Sequence, residues 1–156
     1  ATDSSGMVDV VALQLAPDVL DSEVVHTAFT MDDLPDDLEQ IEVGSDVRIV
    51  GFPLGFQDLL HQLPVMRQAI IASSYSLRFQ GQGYFLTDSL LHRGSSGSPV
   101  VTRVTETRSG RDDFPWMLLG IHSARLNAAN RDSAEDERLN LFTAWYPDVL
   151  EALTDP

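Results

Sequence analysis

Residues 93–100 read RGSSGSPV, and this stretch is the strongest structural signal in the chain. Gly94 and Gly97 flank a pair of serines, and glycine supplies the backbone freedom that a tight turn requires. Pro99 then ends the turn and leads into a β-branched, apolar run. The pattern predicts a tight turn around Ser96, followed directly by a strand. The same residues could also form a Ser/Gly-rich hairpin loop without any chemistry.

Strand-like segments lie on both sides of this turn. Short apolar and β-branched runs separated by turn residues are typical of β-sandwiches and barrels. The segments expected to form strands are residues 8–15, 46–52, 65–75, 83–87, 99–104, 116–122 and 139–145, with a hairpin tip at 109–110. Residues 148–153 follow Pro147, carry apolar side chains on one face and predict a short helix. The predicted fold class is therefore all-β, with a helix only at the end.

A loop or linker interrupts the strand pattern between residues 16 and 42. Acidic residues crowd positions 32–39 with Pro35 among them, so we expect this run to be exposed. The interruption divides the chain into residues 1–40 and 41–156. A second polar stretch, residues 127–138, is expected to be a solvated insertion.

The composition limits the classes of function. The 156 residues include 24 acidic and 10 basic side chains, a net charge of -14 that disfavours binding to nucleic acid. No apolar run approaches the roughly 20 residues of a membrane span, so we expect a soluble protein without membrane contact. The absence of cysteine excludes disulfides, and the four histidines lack the paired spacing of a zinc site. No cofactor, metal or signal peptide is predicted, and the location of the protein, cytoplasmic or secreted, stays open.

The order of several segments resembles the chymotrypsin-like (trypsin-like) serine peptidases, particularly the bacterial ones. The turn around Ser96 is preceded by YFLTD (84–88) and followed by LLGIH (118–122), as in that family. VGSDVRIVGFPLG (43–55) is similar to the strand and turn that open its second barrel. DVVALQL (9–15) resembles the segment that bears its triad aspartate.

The resemblance implies a chymotrypsin-like double barrel. Residues 41–156 would form the complete six-stranded C-terminal barrel and the short terminal helix. Residues 1–40 would hold a remnant of the N-terminal barrel, which is otherwise largely missing, and the linker between the barrels.

Catalytic roles carry over to three positions of this sequence. The resemblance makes Ser96 the nucleophile, the N–H groups of Gly94 and Ser96 the oxyanion hole, and Asp9 the residue that orients the catalytic imidazole. Asp9 could equally be a strand-entry residue bonded to backbone N–H groups. The histidine of the family precedes its aspartate, whereas none of the eight residues before Asp9 is a histidine. We therefore expect an upstream first-barrel segment of the same protein to supply it, and this chain alone to have little or no peptidase activity.

A specificity pocket is implied at His122, Ser123 and Arg125, because this strand lines the pocket in the family. A histidine there is similar to the glutamyl endopeptidases and to viral proteases that recognise glutamine. His122 could bond a carboxylate or an amide, and Arg125 could add positive charge. The alternative is a satisfied strand histidine beside a solvated arginine. Leu90 replaces the acid of trypsin-like enzymes, and Asp88 is expected to face elsewhere, so substrates with a basic side chain are disfavoured while acidic, amide and apolar ones remain open.

The reaction implied by the resemblance is hydrolysis of peptide bonds through an acyl-enzyme, with peptides or proteins as substrates. A protease-fold binding module without catalysis is the alternative: it accounts for the missing histidine but not for the intact turn at residues 94–97. A small all-β protein with an accidental resemblance is the third interpretation.

Overall fold

The computed structural model describes residues 2–3, 6–16, 18–20, 25–90, 94–104, 114–126 and 139–154. The predicted hairpin tip at 109–110 and the polar stretch 127–138 lie outside these residues, as do His92 and Arg93. The described strands are β1 (Thr2–Asp3), β2 (Gly6–Met7), β3 (Asp46–Gly51), β4 (Val65–Ile71), β5 (Tyr84–Asp88), β6 (Pro99–Arg103), β7 (Trp116–Arg125) and β8 (Leu141–Trp145). One α-helix, α1 (Asp148–Thr154), ends the described chain. None of the helices in these ranges is long and apolar enough to cross a membrane.

Strands β3 to β8 form a closed antiparallel barrel in the order β3-β4-β5-β8-β7-β6. Pairing of β6 with β3, with Val100 opposite Ile49, closes the barrel. The predicted all-β class, the six-stranded barrel and the short terminal helix are confirmed. Among the described strands, β1 and β2 pair with each other alone and form a small two-stranded sheet.

The barrel interior follows from the two-residue period of its strands. In β3, Val47 and Ile49 are buried while Arg48 between them is partly exposed. In β4, Ala69 and Ile71 are buried while Ile70 between them is exposed. Burial of a valine or isoleucine side chain stabilises the fold by about 1.5–3 kcal/mol. The core consists of Val47, Ile49, Ala69, Ile71, Tyr75, Phe85, Val100, Leu119, Phe142, Ala144 and Tyr146.

A cluster of three aromatic rings joins the end of the chain to the barrel. The ring centroids of Tyr75, Phe85 and Tyr146 lie 5.0–5.2 Å apart. The Tyr75 hydroxyl donates to the carbonyl oxygen of Leu119 at 2.8 Å, and the Tyr146 hydroxyl donates to that of Tyr75 at 2.8 Å. A buried phenol is tolerated when its O–H has such a partner. Burial raises the pKa of Tyr146 to about 12, so this phenol stays neutral.

The strand predicted over residues 8–15 is wrong. These residues belong to no strand, and none of their backbone groups bonds to a backbone group in the described part of the chain. The side chains of Val11, Leu13 and Leu15 are 78%, 82% and 60% exposed. Sequence can favour a strand, but a strand forms only where a neighbour pairs with its N–H and C=O groups.

Other strand boundaries differ from the prediction by a few residues. Strand β4 ends at Ile71, four residues earlier than predicted, because the chain leaves the ladder to place Tyr75 in the core. Strand β7 continues to Arg125 rather than ending at residue 122, since it pairs with β8 as far as Phe142.

The linker contains two 3-10 helices, Met31–Asp33 and Leu38–Gln40. Asp33 is fully buried, although the acidic run was predicted to be exposed. Its carboxylate accepts the Thr30 N–H at 2.7 Å and the Thr30 hydroxyl at 3.2 Å, which forms a capping box around the first of these helices. The neighbouring acids, including Asp32 and Asp36, are exposed as predicted.

Candidate active site

The turn that carries Ser96 is joined to strand β7 by two backbone hydrogen bonds. The N–H of Gly97 donates to the carbonyl oxygen of His122 at 2.8 Å, and the N–H of His122 donates to that of Ser98 at 2.8 Å. Ser95 and Ser98 are buried, whereas Ser96 is exposed. Of these three serines, Ser96 is therefore the one whose hydroxyl a solute can reach.

Glycine is required at position 94 for two separate reasons. Its φ of +90° lies in the left-handed region, which L side chains rarely adopt. A Cβ at Gly94 would also lie 2.9 Å from the backbone nitrogen of Leu54 and 3.0 Å from the carbonyl oxygen of Phe52. The turn around Ser96 thus packs directly on the main chain of the turn that follows β3.

The backbone N–H groups of Gly94 and Ser96 are the candidate hydrogen-bond donors of this turn. In the described part of the chain, no backbone carbonyl accepts a hydrogen bond from the N–H of Gly94 or of Ser96. A tight turn with unengaged N–H groups can bind an anion, and such preorganised donors stabilise the oxyanion of acyl transfer. The arrangement can therefore stabilise negative charge next to the Ser96 hydroxyl.

Asp9 is held at the same site by Ser123. The Ser123 hydroxyl, which is buried, donates to Asp9 Oδ2 at 3.0 Å. Asp9 and Ser96 also line one cavity of about 500 Å³, although they are far apart in sequence. Its walls are formed by Val8, Asp9, Val10, Val11, Ser96, Gly97, Ile121, His122 and Leu150. The sequence predicted both Asp9 and Ser96, but it did not predict the hydrogen bond that links Ser123 to Asp9.

His122 lies in the wall of this cavity as a neutral group. Its side chain is only 2% exposed, and its ring centroid lies 5.3 Å from that of Phe142. Desolvation lowers its pKa from 6.5 to about 4. Nδ1 has no hydrogen-bond partner in the described residues. An imidazole of such low basicity, which makes no hydrogen bond to Ser96, is poorly suited to remove the serine proton.

The two other described histidines, His26 and His61, do not bond to Ser96 either. His61 Nδ1 lies 2.7 Å from Asp58 Oδ2 in an exposed turn. That hydrogen bond, more than those from the backbone N–H groups of Leu60 and His61, lowers the pKa of Asp58. His26 is exposed and is not among the residues that line the cavity. Within the described ranges, Ser96 therefore has no histidine as a general base.

Three of the four predicted substrate-binding residues, Ser123, Leu90 and Arg125, are not among the residues that line the cavity. Leu90 is 65% exposed, and its carbonyl oxygen accepts a hydrogen bond from the guanidinium of Arg67. The Arg125 guanidinium lies 5.5 Å above the ring of Phe142. Asp88 is exposed and also does not line the cavity. The predicted site residues that line the cavity are Asp9, Ser96 and His122. Ser123 adjoins it through its hydrogen bond to Asp9, and Gly94 lies in the turn that carries Ser96.

The support beneath the turn was not predicted. A Cβ at Gly51 would lie 2.1 Å from Ser98 Oγ, so this glycine permits the strand end and the turn to touch. The stretch at residues 51–55 reads as a strand end with turn residues, and nothing in it indicates contact with a segment about forty positions later. The pairing of β3 with β6 brings the two segments together.

No family model matches the sequence, and no curated protein matches it. In the described residues, no group of three or more His, Asp or Glu side chains is placed to hold a metal ion. The assignment of the candidate site therefore rests on the geometry around Ser96.

Proposed function

We propose that this chain is the nucleophile-bearing part of a serine endopeptidase. The observation that carries the proposal is the shared cavity, in which an exposed Ser96 and an Asp9 held by Ser123 lie together. The N–H groups of Gly94 and Ser96, which donate to no described backbone carbonyl, support the same chemistry, because acyl transfer needs donors beside its nucleophile. The resemblance to chymotrypsin-like peptidases agrees with these roles.

In the proposed reaction, Ser96 Oγ attacks the carbonyl carbon of a peptide bond and gives its proton to a general base. The N–H groups of Gly94 and Ser96 bind the resulting oxyanion. Collapse of the tetrahedral intermediate breaks the C–N bond, and the base returns the proton to the leaving amine. Water then hydrolyses the ester on Ser96 by the same steps. Asp9 would orient the base and stabilise its charged form.

The proposal requires a histidine that is not among those described. His61 is paired with Asp58, and His122 is buried with a lowered pKa. We therefore assign the general base to an upstream first-barrel segment of the same protein. Val11 lines the cavity and Leu13 follows two residues later in the sequence. Their exposed apolar side chains are consistent with a surface that such a segment would cover.

The proposed substrates carry an acidic, amide or apolar side chain at the residue before the scissile bond. His122 is neutral near pH 7, and no carboxylate stands at Leu90 to pair with a basic side chain. A peptide library digested by the full-length protein would test this preference. Cleavage predominantly after Arg or Lys would contradict it.

Labelling of the full-length protein with a fluorophosphonate probe tests the nucleophile. We expect one label, on Ser96, with casein hydrolysis in the same preparation. Ser96→Ala should abolish both, whereas the control Ser76→Ala, at an exposed serine, should change neither. The isolated 156-residue chain should label at least about a thousandfold more slowly, because a triad acts as a unit.

A protease-fold binding module is the second candidate, and the absence of a described histidine at Ser96 favours it. The same experiment separates the two functions. A folded full-length protein that neither labels at Ser96 nor hydrolyses casein contradicts the peptidase and leaves the binding module.

A further inference from the structure

A second cavity, of about 230 Å³, lies between the linker and the start of helix α1. It shares no lining residue with the cavity at Ser96. We name it the linker–helix pocket, and its walls are Leu34, Pro35, Leu38, Tyr75, Ser76, Arg78, Tyr146, Pro147, Asp148 and Glu151.

The walls of the linker–helix pocket offer mainly apolar surface. Leu34, Pro35 and Leu38 form the linker side. The hydroxyls of Tyr75 and Tyr146 are already committed to backbone carbonyls, so these tyrosines present ring surface rather than free O–H groups. A ligand that enters must therefore bury an apolar group, which is the favourable exchange in such a site.

The one cation in the wall is already neutralised. The guanidinium of Arg78 forms an ion pair with Asp148 and lies 5.2 Å above the ring of Tyr146. An arginine held by both a carboxylate and an aromatic face has little attraction left for an anionic ligand. This arrangement argues against a carboxylate or a phosphate as the occupant.

Acidic side chains outnumber basic ones among the lining residues, with Asp148 and Glu151 against Arg78. Glu151 lines the pocket, is exposed and forms no ion pair with the described residues. On the linker side, the exposed acids Asp36, Asp37 and Glu39 lie next in sequence to Pro35 and Leu38. Carboxylates at an apolar opening favour a ligand that carries positive charge around an apolar group. The net charge of -14 adds long-range attraction for such a ligand.

We propose that the linker–helix pocket binds a peptide segment in which apolar side chains are flanked by arginine or lysine. The apolar side chain fills the space between Leu38 and the ring of Tyr146. The flanking cations face Glu151 on the helix side and the acids of the linker. This binding does not depend on Ser96 and stands whether or not the protein is a peptidase.

The test uses three hexapeptides, GRFLRG, GQFLQG and GEFLEG, acetylated and amidated at their ends. Each is titrated into the Ser96→Ala protein, so that no peptide can be cleaved, and the ¹H–¹⁵N spectrum is recorded. We expect GRFLRG to shift the amide signals of Ser76, Arg78 and Glu151 and to bind about tenfold more tightly than GEFLEG. GQFLQG should fall between them, and the difference should shrink in high salt.

Two further substitutions locate the binding. Glu151→Gln should weaken GRFLRG about two- to fivefold without affecting GQFLQG, and Ser76→Trp should fill the pocket and prevent binding of both. Glu42→Gln, which removes an exposed carboxylate outside the pocket, is the matched control and should change nothing. Equal affinity for the basic and acidic peptides, or no shift at these amides up to about 5 mM peptide, would overturn the proposal. So would shifts confined to the residues of the Ser96 cavity.

Discussion

The two glycines of the turn around Ser96 have similar backbone angles but different surroundings. Both Gly94 and Gly97 have φ near +90°, yet a Cβ at Gly94 would strike the main chain of Phe52 and Leu54, while one at Gly97 would meet open space. Gly97→Ala should lower the free energy of unfolding by about 1–2 kcal/mol through its backbone angle alone. Gly94→Ala should cost at least about 1 kcal/mol more because the turn must also move. Urea denaturation of both variants measures the difference, and equal costs would contradict the close contact.

Titration of His122 should make the fold less stable in acid. Its pKa in the folded protein is about 4 and its ordinary value is 6.5, so the unfolded chain binds the proton more readily. Stability from keeping this imidazole neutral is fully present above pH 6.5 and is lost as the pH falls toward 4. Between pH 7 and pH 5 the loss is about 2 kcal/mol. His122→Gln should remove this part of the pH dependence, which urea denaturation at several pH values would detect. The neutral replacement thereby separates His122 from the acidic residues, and an unchanged profile would show that His122 does not contribute.

Among the structural elements, β3 closes the barrel by pairing with both β4 and β6. Ile49 is buried at its centre, opposite Arg67 on one side and Val100 on the other. Ile49→Val should therefore lower the free energy of unfolding by about 1 kcal/mol. Ile70→Val makes the same change at a position that is 37% exposed, and it should cost less than about 0.5 kcal/mol. Chemical denaturation compares the two, and a control as costly as Ile49→Val would contradict the placement of Ile49 in the core.

Sequence reasoning succeeded for elements whose partners lie within the barrel. Alternating apolar residues predicted β3 and β4, and the proline before α1 predicted the start of the helix, because these signals lie within the elements themselves. Residues 8–15 show equally strong strand composition, yet they belong to no strand because no described segment pairs with them. The candidate site divides in the same way. The turn at Ser96 could be predicted from its glycines. The hydrogen bond from Ser123 to Asp9 could not, because it joins residues that are far apart in sequence.

At the scale of the whole molecule, the segment from residue 8 to residue 16 leaves an apolar surface open. Val11 and Leu13 are more than three-quarters exposed, and an unpaired backbone beside them can add to another chain. We expect the 156-residue chain to self-associate as its concentration rises, despite its net charge of -14. Sedimentation velocity should show this association, and the double variant Val11→Asp/Leu13→Asp should stay monomeric. Leu77→Asp alters an exposed leucine elsewhere and should associate like the parent chain; a parent chain that is monomeric at all concentrations would contradict the expectation.

The turn after β3 contacts Gly94 through backbone atoms. Substitutions should therefore be tolerated more readily in that turn than at Gly94. Phe52 and Leu54 contribute an oxygen and a nitrogen of the main chain, while their side chains are 41% and 72% exposed. Replacement of these side chains is expected to leave the support intact, so they are free to drift and to supply new surface beside Ser96. Leu54, at a φ of +55°, should drift most readily toward glycine or asparagine. Gly94 tolerates no side chain, so substitutions at this position should be selected against most strongly.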